Sequence, residues 1–175
     1  MNWTELLNAG IEEAYRSTEG LLRHVDDTML AWKPDTGENW MTVGQLLRHL
    51  PEACGFCMRG FVTGEWGMPE GVDPADAVPE SMLPTAEEMK SVESVDEAKR
   101  LLAEDKELAY AMVKQAGEDR LENQATTAPW DPMEMPLGRR LLGMIEHLAM
   151  HRAQLFYYLK LMGKPVNTHS LYGMD

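Results

Sequence analysis

The chain has 175 residues, 44% hydrophobic and 26% charged, a balance that suits one globular domain and excludes a disordered chain. Its 16 Lys and Arg against 29 Asp and Glu leave a formal net charge of −13 at pH 7, so a phosphate backbone meets repulsion instead of steering and nucleic acid is not an expected partner. No apolar run approaches the roughly 20 residues that span a bilayer, and the opening MNWTELLNAGIEEAY is acidic where a secretory leader needs a basic and then an apolar segment; a cytoplasmic protein with no membrane partner is expected.

Residues 2–25 read as a first helix. Asn2, with Glu5 three positions on, forms a capping box, and Leu6, Leu7, Ala14, Leu21, Leu22 and Val25 form the inner face. His24 lies near its C-terminal end, where the helix dipole favours a protonated ring in a structural or solvent role. Residues 26–40 connect, with Pro34, Gly37 and Asn39 as turn formers.

A second helix begins at Thr42, capped in the box T-V-G-Q, with Val43, Leu46, Leu47, Leu50, Cys54, Cys57 and Phe61 inward. His49 sits at the margin of that face, with Gln45 and Phe56 as its vertical neighbours. Pro51 removes a hydrogen bond near Leu47 and predicts a kink beside it. Cys54 and Cys57 have C-x-x-C spacing, but inside a helix and on its apolar side they read as small hydrophobes, not as a redox pair or half of a zinc site.

Residues 64–92 lose all periodicity and carry prolines at 69, 74, 79 and 84 among acidic residues. Such an excursion serves as a lid, as a partner-binding segment or simply as a mobile loop. A third helix opens at a Ser94–Glu97 capping box and carries Val95, Ala98, Leu101, Leu102, Leu108, Ala109, Met112 and Val113 up to about Gly117. Residues 118–136 form another connection, in which TTAPWDPMEMP holds a short extended piece at most.

The most strongly patterned stretch is 137–163. Leu141, Leu142, Ile145, Leu148, Leu155, Phe156 and Leu159 make a broad stripe at helical period, bounded by Pro136 before, Gly163 at the C-terminal cap and Pro165 beyond. A tail, 164–175, contains His169, which can fold over a site, and Tyr172. Four amphipathic helices and no convincing strand define an all-α chain. A single antiparallel four-helix bundle over residues 1–175, with long inter-helix connections, is expected.

His147 and His151, four residues apart, project from one face of the last helix, and with Gln154 and Tyr158 they form a polar line beside the apolar stripe. Two imidazoles so spaced can chelate one divalent ion; they are equally compatible with a core edge where carboxylates satisfy them. Bundles build metal sites between facing helices, where His49 and this pair can meet. Glu146 points about 100° away and Arg152 lies toward the apolar side, where it needs a carboxylate or must snorkel.

TVGQLLRHL around His49, EHLAMHRAQLFYYLKLMG around His147 and His151, and the closing PVNTHSLYG resemble the DinB-like superfamily, which also holds the YfiT-like metal-dependent hydrolases. The resemblance follows the element order of nearly the whole chain, but only these three stretches are specific. It implies a four-helix bundle in which His49, His147 and His151 bind one divalent metal, nickel or zinc in most members. It also implies a small-molecule substrate, since some members look like transferases or isomerases that use a low-molecular-weight thiol such as mycothiol or bacillithiol, and others are called hydrolases by analogy. Related bundles often pair, and the 14 methionines can dress an apolar interface, so a homodimer is a further expectation.

Three neutral imidazoles leave coordination positions for water or substrate and supply a nucleophile, an activated water or a thiolate, without a protein Ser or Cys. Tyr158 and Gln154 are the candidates to touch a substrate, and Tyr158 reads first as a packed residue with a wet hydroxyl. Two further readings stand beside the enzyme: a non-catalytic, stress-related or partner-binding bundle stapled by its ion, and a bundle with no metal at all.

Overall fold

The computed structural model describes residues 1–67 and 84–174. Among these residues the fold is mostly helical, with one small sheet. In chain order it runs through α1 (Trp3–Leu22), a 3-10 turn at Asp27–Met29, α2 (Val43–Glu52), α3 (Gly55–Thr63), a second 3-10 turn at Ala86–Glu88, α4 (Val95–Asn123), the strands β1 (Ala125–Ala128) and β2 (Asp131–Pro136), α5 (Leu137–Leu161) and the short α6 (Thr168–Leu171).

Helix ends follow the chemistry of their capping residues. The Asn2 and Thr42 boxes both form, each side chain accepting from the backbone N–H three residues on. Ser94 Oγ accepts from Glu97 N, but the Glu97 carboxylate accepts from Glu93 N rather than Ser94 N, so this cap is not the reciprocal box expected. At the end of α5, Gly163 takes φ +75°, with Gly163 N donating to Lys160 O and Lys164 N to Leu159 O, the paired bonds of a left-handed glycine cap.

Several expected boundaries move. The first helix stops at Leu22, and Leu6, expected inside, is 36% exposed. The long second helix is two helices, because Pro51 removes a donor and crowds the preceding turn, and at Cys54 the backbone leaves the helical region at φ −124°, ψ −87°. The third helix does not end at Gly117. That residue takes φ +69°, ψ 160°, a conformation reserved for glycine, and helix resumes as far as Asn123. The resumed turn has a purpose: Glu118 accepts from Trp3 N at 2.8 Å, Thr4 N at 2.9 Å and Thr4 Oγ1 at 2.7 Å, closing the N-terminus of α1. The extended piece expected in 118–136 is a full antiparallel hairpin, β1 to β2, with an irregularity between Thr126 and Ala128. The buried Arg140 donates to Asp131 Oδ2 and Met133 O, tying that hairpin to the first turn of α5.

The core lies where α1, α4 and α5 pack together and α2 and α3 lie against α4 and α5. Leu7, Ile11, Leu46, Leu102, Leu121, Leu141, Leu148 and Leu159 are all but inaccessible within it. The long acidic excursion lies partly outside the described residues. Where its return is described, Gln45 Nε2 donates to Ala86 O and Met89 O, and Asn39 Oδ1 accepts from Ala86 N. No helix among the described residues is long and apolar enough to cross a membrane.

Candidate metal centre

His49 lies in the last turn of α2, and His147 and His151 lie one turn apart on α5. Packing of α2 against α5 brings the three rings together, each partly buried. His151 Nε2 is 3.1 Å from His49 Nε2 and 2.9 Å from His147 Nε2, and the three ligand atoms lie within 4.8 Å of one another.

The donor set fits a divalent ion. Two nitrogens at about 2.0–2.1 Å from one ion, subtending between a right angle and a tetrahedral angle, stand about 2.9–3.4 Å apart, the range in which both distances from His151 Nε2 fall. Protonation also fits. Burial, reinforced by the neighbouring histidines, pushes His49 and His147 down to about 4, and burial lowers His151 as well, so all three rings are neutral near pH 7, the form in which imidazole offers a lone pair. No carboxylate joins the cluster among the described residues.

The outward side of the cluster is held by backbone and by a polar chain. His147 hydrogen-bonds the Ala53 backbone; the bond favours the protonated ring, which makes the Ala53 carbonyl its acceptor. Ala53 sits where Pro51 has broken the helix. His151 Nδ1 is 3.0 Å from Gln154 Oε1, Gln154 Nε2 donates to Tyr158 Oη at 2.9 Å, and Tyr158 Oη donates to Met41 O at 3.0 Å. The Tyr158 ring is buried, with the Trp32 and Trp40 rings edge-on at 5.3 and 6.1 Å.

Other sequence candidates lie elsewhere. His169 is exposed in α6 and does not join the cluster, nor does His24. Glu146 is exposed and pairs with Arg139 at 3.0 Å. Arg152 reaches the tail, its guanidinium 6.0 Å from the centre of the Tyr172 ring, with Glu13 contributing a favourable charge. Both cysteines are free thiols, and burial pushes Cys57 up to about 12 and Cys54 higher still, so neither offers a thiolate near neutrality.

Sequence reading missed a second buried polar cluster. Asp105 on α4 accepts from Tyr15 Oη at 2.5 Å, from Gly55 N at 2.9 Å and from Phe56 N at 2.7 Å. A carboxylate at the third step of the run 98, 102, 105, 109, on the buried face of its helix, was the signal available.

A mostly helical fold with three convergent histidines between two helices defines a class, the helical proteins with a candidate three-histidine centre. Within that class, the family model of the DinB superfamily matches residues 11–155, which takes in His49, His147, His151 and Gln154, and the chain belongs to the DinB superfamily. No curated protein and no solved structure matches.

Proposed function

We propose that this protein is a divalent-metal-dependent enzyme of the DinB superfamily, with His49, His147 and His151 as the ligands and zinc or nickel as the ion. The reaction is S-transfer from a low-molecular-weight thiol, or hydrolysis, on a small-molecule substrate. The observation that carries it is the convergence of three neutral imidazole nitrogens with no further protein ligand beside them among the described residues, an open donor set of the catalytic kind. A bound divalent ion supplies Lewis acidity that activates water or a thiol near neutral pH. The protein's part is to keep the rings neutral by burial and to orient them through Ala53 and Gln154. In this reading residues 1–175 form a single four-helix-bundle domain, with α2 and α3 together serving as the second helix, and two copies pair in the cytoplasm.

A second reading, a non-catalytic bundle stapled by its ion, draws on one specific feature: two of the ligands, His49 and His151, lie 102 residues apart in sequence, so an ion here clips the α2 region to α5.

The test is elemental analysis of the purified protein beside His147→Ala, with melting temperatures taken with and without chelator, followed by a thiol-transfer and hydrolysis screen. The expected result is about one equivalent of divalent metal in the parent and none in the variant, with chelator removing about 2.7 kcal/mol of stability where free metal stood at 100 times Kd. Metal with turnover lost in each single histidine variant supports the enzyme. Metal with no turnover, and stability that depends on it, leaves the staple. No metal after reloading overturns both.

A further inference from the structure

The chain of contacts running outward from His151 has a direction, and that direction can be deduced from its far end. A backbone carbonyl only accepts, so at the 3.0 Å contact with Met41 O the Tyr158 hydroxyl must be the donor. Its one proton is thereby committed, and toward Gln154 it can only accept. The Gln154 group facing it at 2.9 Å is therefore the amide N–H, which turns the amide oxygen to His151 Nδ1, 3.0 Å away. That oxygen accepts, so Nδ1 carries the proton. A neutral ring has one N–H, so Nε2 is left with a bare lone pair, and it is this atom that faces His49 Nε2 and His147 Nε2. The reversed chain leaves a pair of facing acceptors that nothing can relieve: with Gln154 turned over, Tyr158 would donate to the amide oxygen, and Tyr158 Oη and Met41 O would stand 3.0 Å apart with no proton between them. The forward chain has facing acceptors too, His151 Nε2 and His147 Nε2 at 2.9 Å, but those are lone pairs that one cation can share.

We infer that Gln154 and Tyr158 are positioning residues that hold His151 as the Nδ1–H tautomer, with the backbone of Met41 as the anchor, so that its Nε2 is ready to ligate before any ion arrives. The inference deepens the proposed metal centre and rests on that reading for its purpose. It explains how a centre with no carboxylate in its cluster among the described residues can still orient a ligand. The usual acidic partner of a ligating histidine is replaced by an amide whose polarity is set two bonds further out. It also assigns work to the loop between α1 and α2. Trp32 and Trp40 pack edge-on against the Tyr158 ring and hold its hydroxyl at the carbonyl of Met41, in the same loop.

The test compares Tyr158→Phe, Gln154→Leu and Gln154→Glu in the full-length protein, each checked for folding by circular dichroism. Two readouts are taken: the protonated nitrogen of His151 by 15N NMR of the metal-free protein, and Zn2+ affinity by competition with a chromophoric chelator. The parent is expected to show His151 protonated at Nδ1. Tyr158→Phe and Gln154→Leu are expected to lose that single tautomer and to bind Zn2+ about 10-fold or more weakly. Gln154→Glu is expected to rescue both, because a carboxylate can only accept from Nδ1–H, whereas a residue that merely packs would not distinguish Glu from Leu in this way. His151 protonated at Nε2 in the metal-free parent overturns the inference, as does unchanged Zn2+ affinity in folded Tyr158→Phe and Gln154→Leu. Should the parent bind no Zn2+, the metal reading falls, and the tautomer of the metal-free parent still decides this inference. If Tyr158→Phe does not fold, the two Gln154 variants decide it.

Discussion

Two polar clusters, one buried and one partly buried, stand on either side of the break between α2 and α3, and they solve opposite problems. At the Asp105 cluster one carboxylate receives three donors, Tyr15 Oη, Gly55 N and Phe56 N, so the first turn of α3 is capped from another helix and every partner is accounted for. At the histidine cluster the backbone near the same break serves from its other side, the Ala53 backbone taking one nitrogen of His147, while three Nε2 atoms turn toward one another. The first cluster closes on itself; the second turns three ring nitrogens inward. A saturated cluster is an element of stability, and a converging one with room for a shared ion is a candidate for function.

The sharpest way to break the comparison is Asp105→Ala. It leaves two buried donors and a part-buried one without an acceptor and should cost roughly 3–5 kcal/mol, lowering the melting temperature by about 10 °C, while any variant that remains folded should still bind metal. Loss of metal binding in a folded Asp105→Ala protein would show the two clusters to be one unit.

The clusters should also respond to acid in opposite senses. Burial pushes Asp105 up to about 6, against its hydrogen bonds, so the native state holds a proton that the unfolded chain, with an ordinary carboxyl, releases earlier. Its contribution is fully present below about pH 4 and is lost as pH rises through about 6, on the order of 3 kcal/mol. His49 and His147 are pushed down to about 4, so the unfolded chain binds their protons first, and their contribution is present above about 6.5 and lost as pH falls toward 4. In the metal-free protein the two slopes oppose each other between pH 4 and 6. Denaturant unfolding across that window should show Asp105→Asn gaining on the parent as pH rises, and His49→Gln gaining as pH falls. A parent and an Asp105→Asn variant with parallel profiles would remove the assigned role of that carboxyl.

The smallest expected effect is at Gly55, where an added Cβ would lie 2.3 Å from Asp105 O and 2.6 Å from Asp105 Oδ1. Gly55→Ala should force the helices apart and cost about 1–3 kcal/mol by chemical denaturation. An unchanged midpoint would mean that α3 shifts freely, and that Asp105 is not held as tightly as its contacts indicate.

The histidine site was legible in the sequence because its elements are local or marginal to strong patterns. The His147–His151 spacing is one helical turn, and His49 sits at the edge of an apolar face, both readable without a fold. Gln154 and Tyr158 were visible on the same line, but not the polarity of their hydrogen bonds, which is set by Met41, 117 residues from Tyr158 in sequence. The break after Pro51 was readable as a kink but not as two helices, since Pro51 weakens the turn while Gly55 and Asp105 stabilise the alternative. The continuation of α4 past Gly117 and the hairpin after it were missed for a related reason. A glycine at positive φ reads as a terminator unless something downstream repays resumption, and here that is Glu118 binding the amides of Trp3 and Thr4.

What the sequence determined by itself was the set of helical faces, the caps at Asn2, Thr42 and Gly163, and three histidines placed at the edges of two such faces, because period, capping chemistry and Pro and Gly restrictions act within a few residues of chain. What only the tertiary structure decided was which edges meet. The approach of α2 to α5 converts two marginal positions into one convergent donor set, and the approach of α4 to α3 places a carboxylate where a helix begins. Both depend on contacts between residues at least 49 apart, and no local rule carries that information.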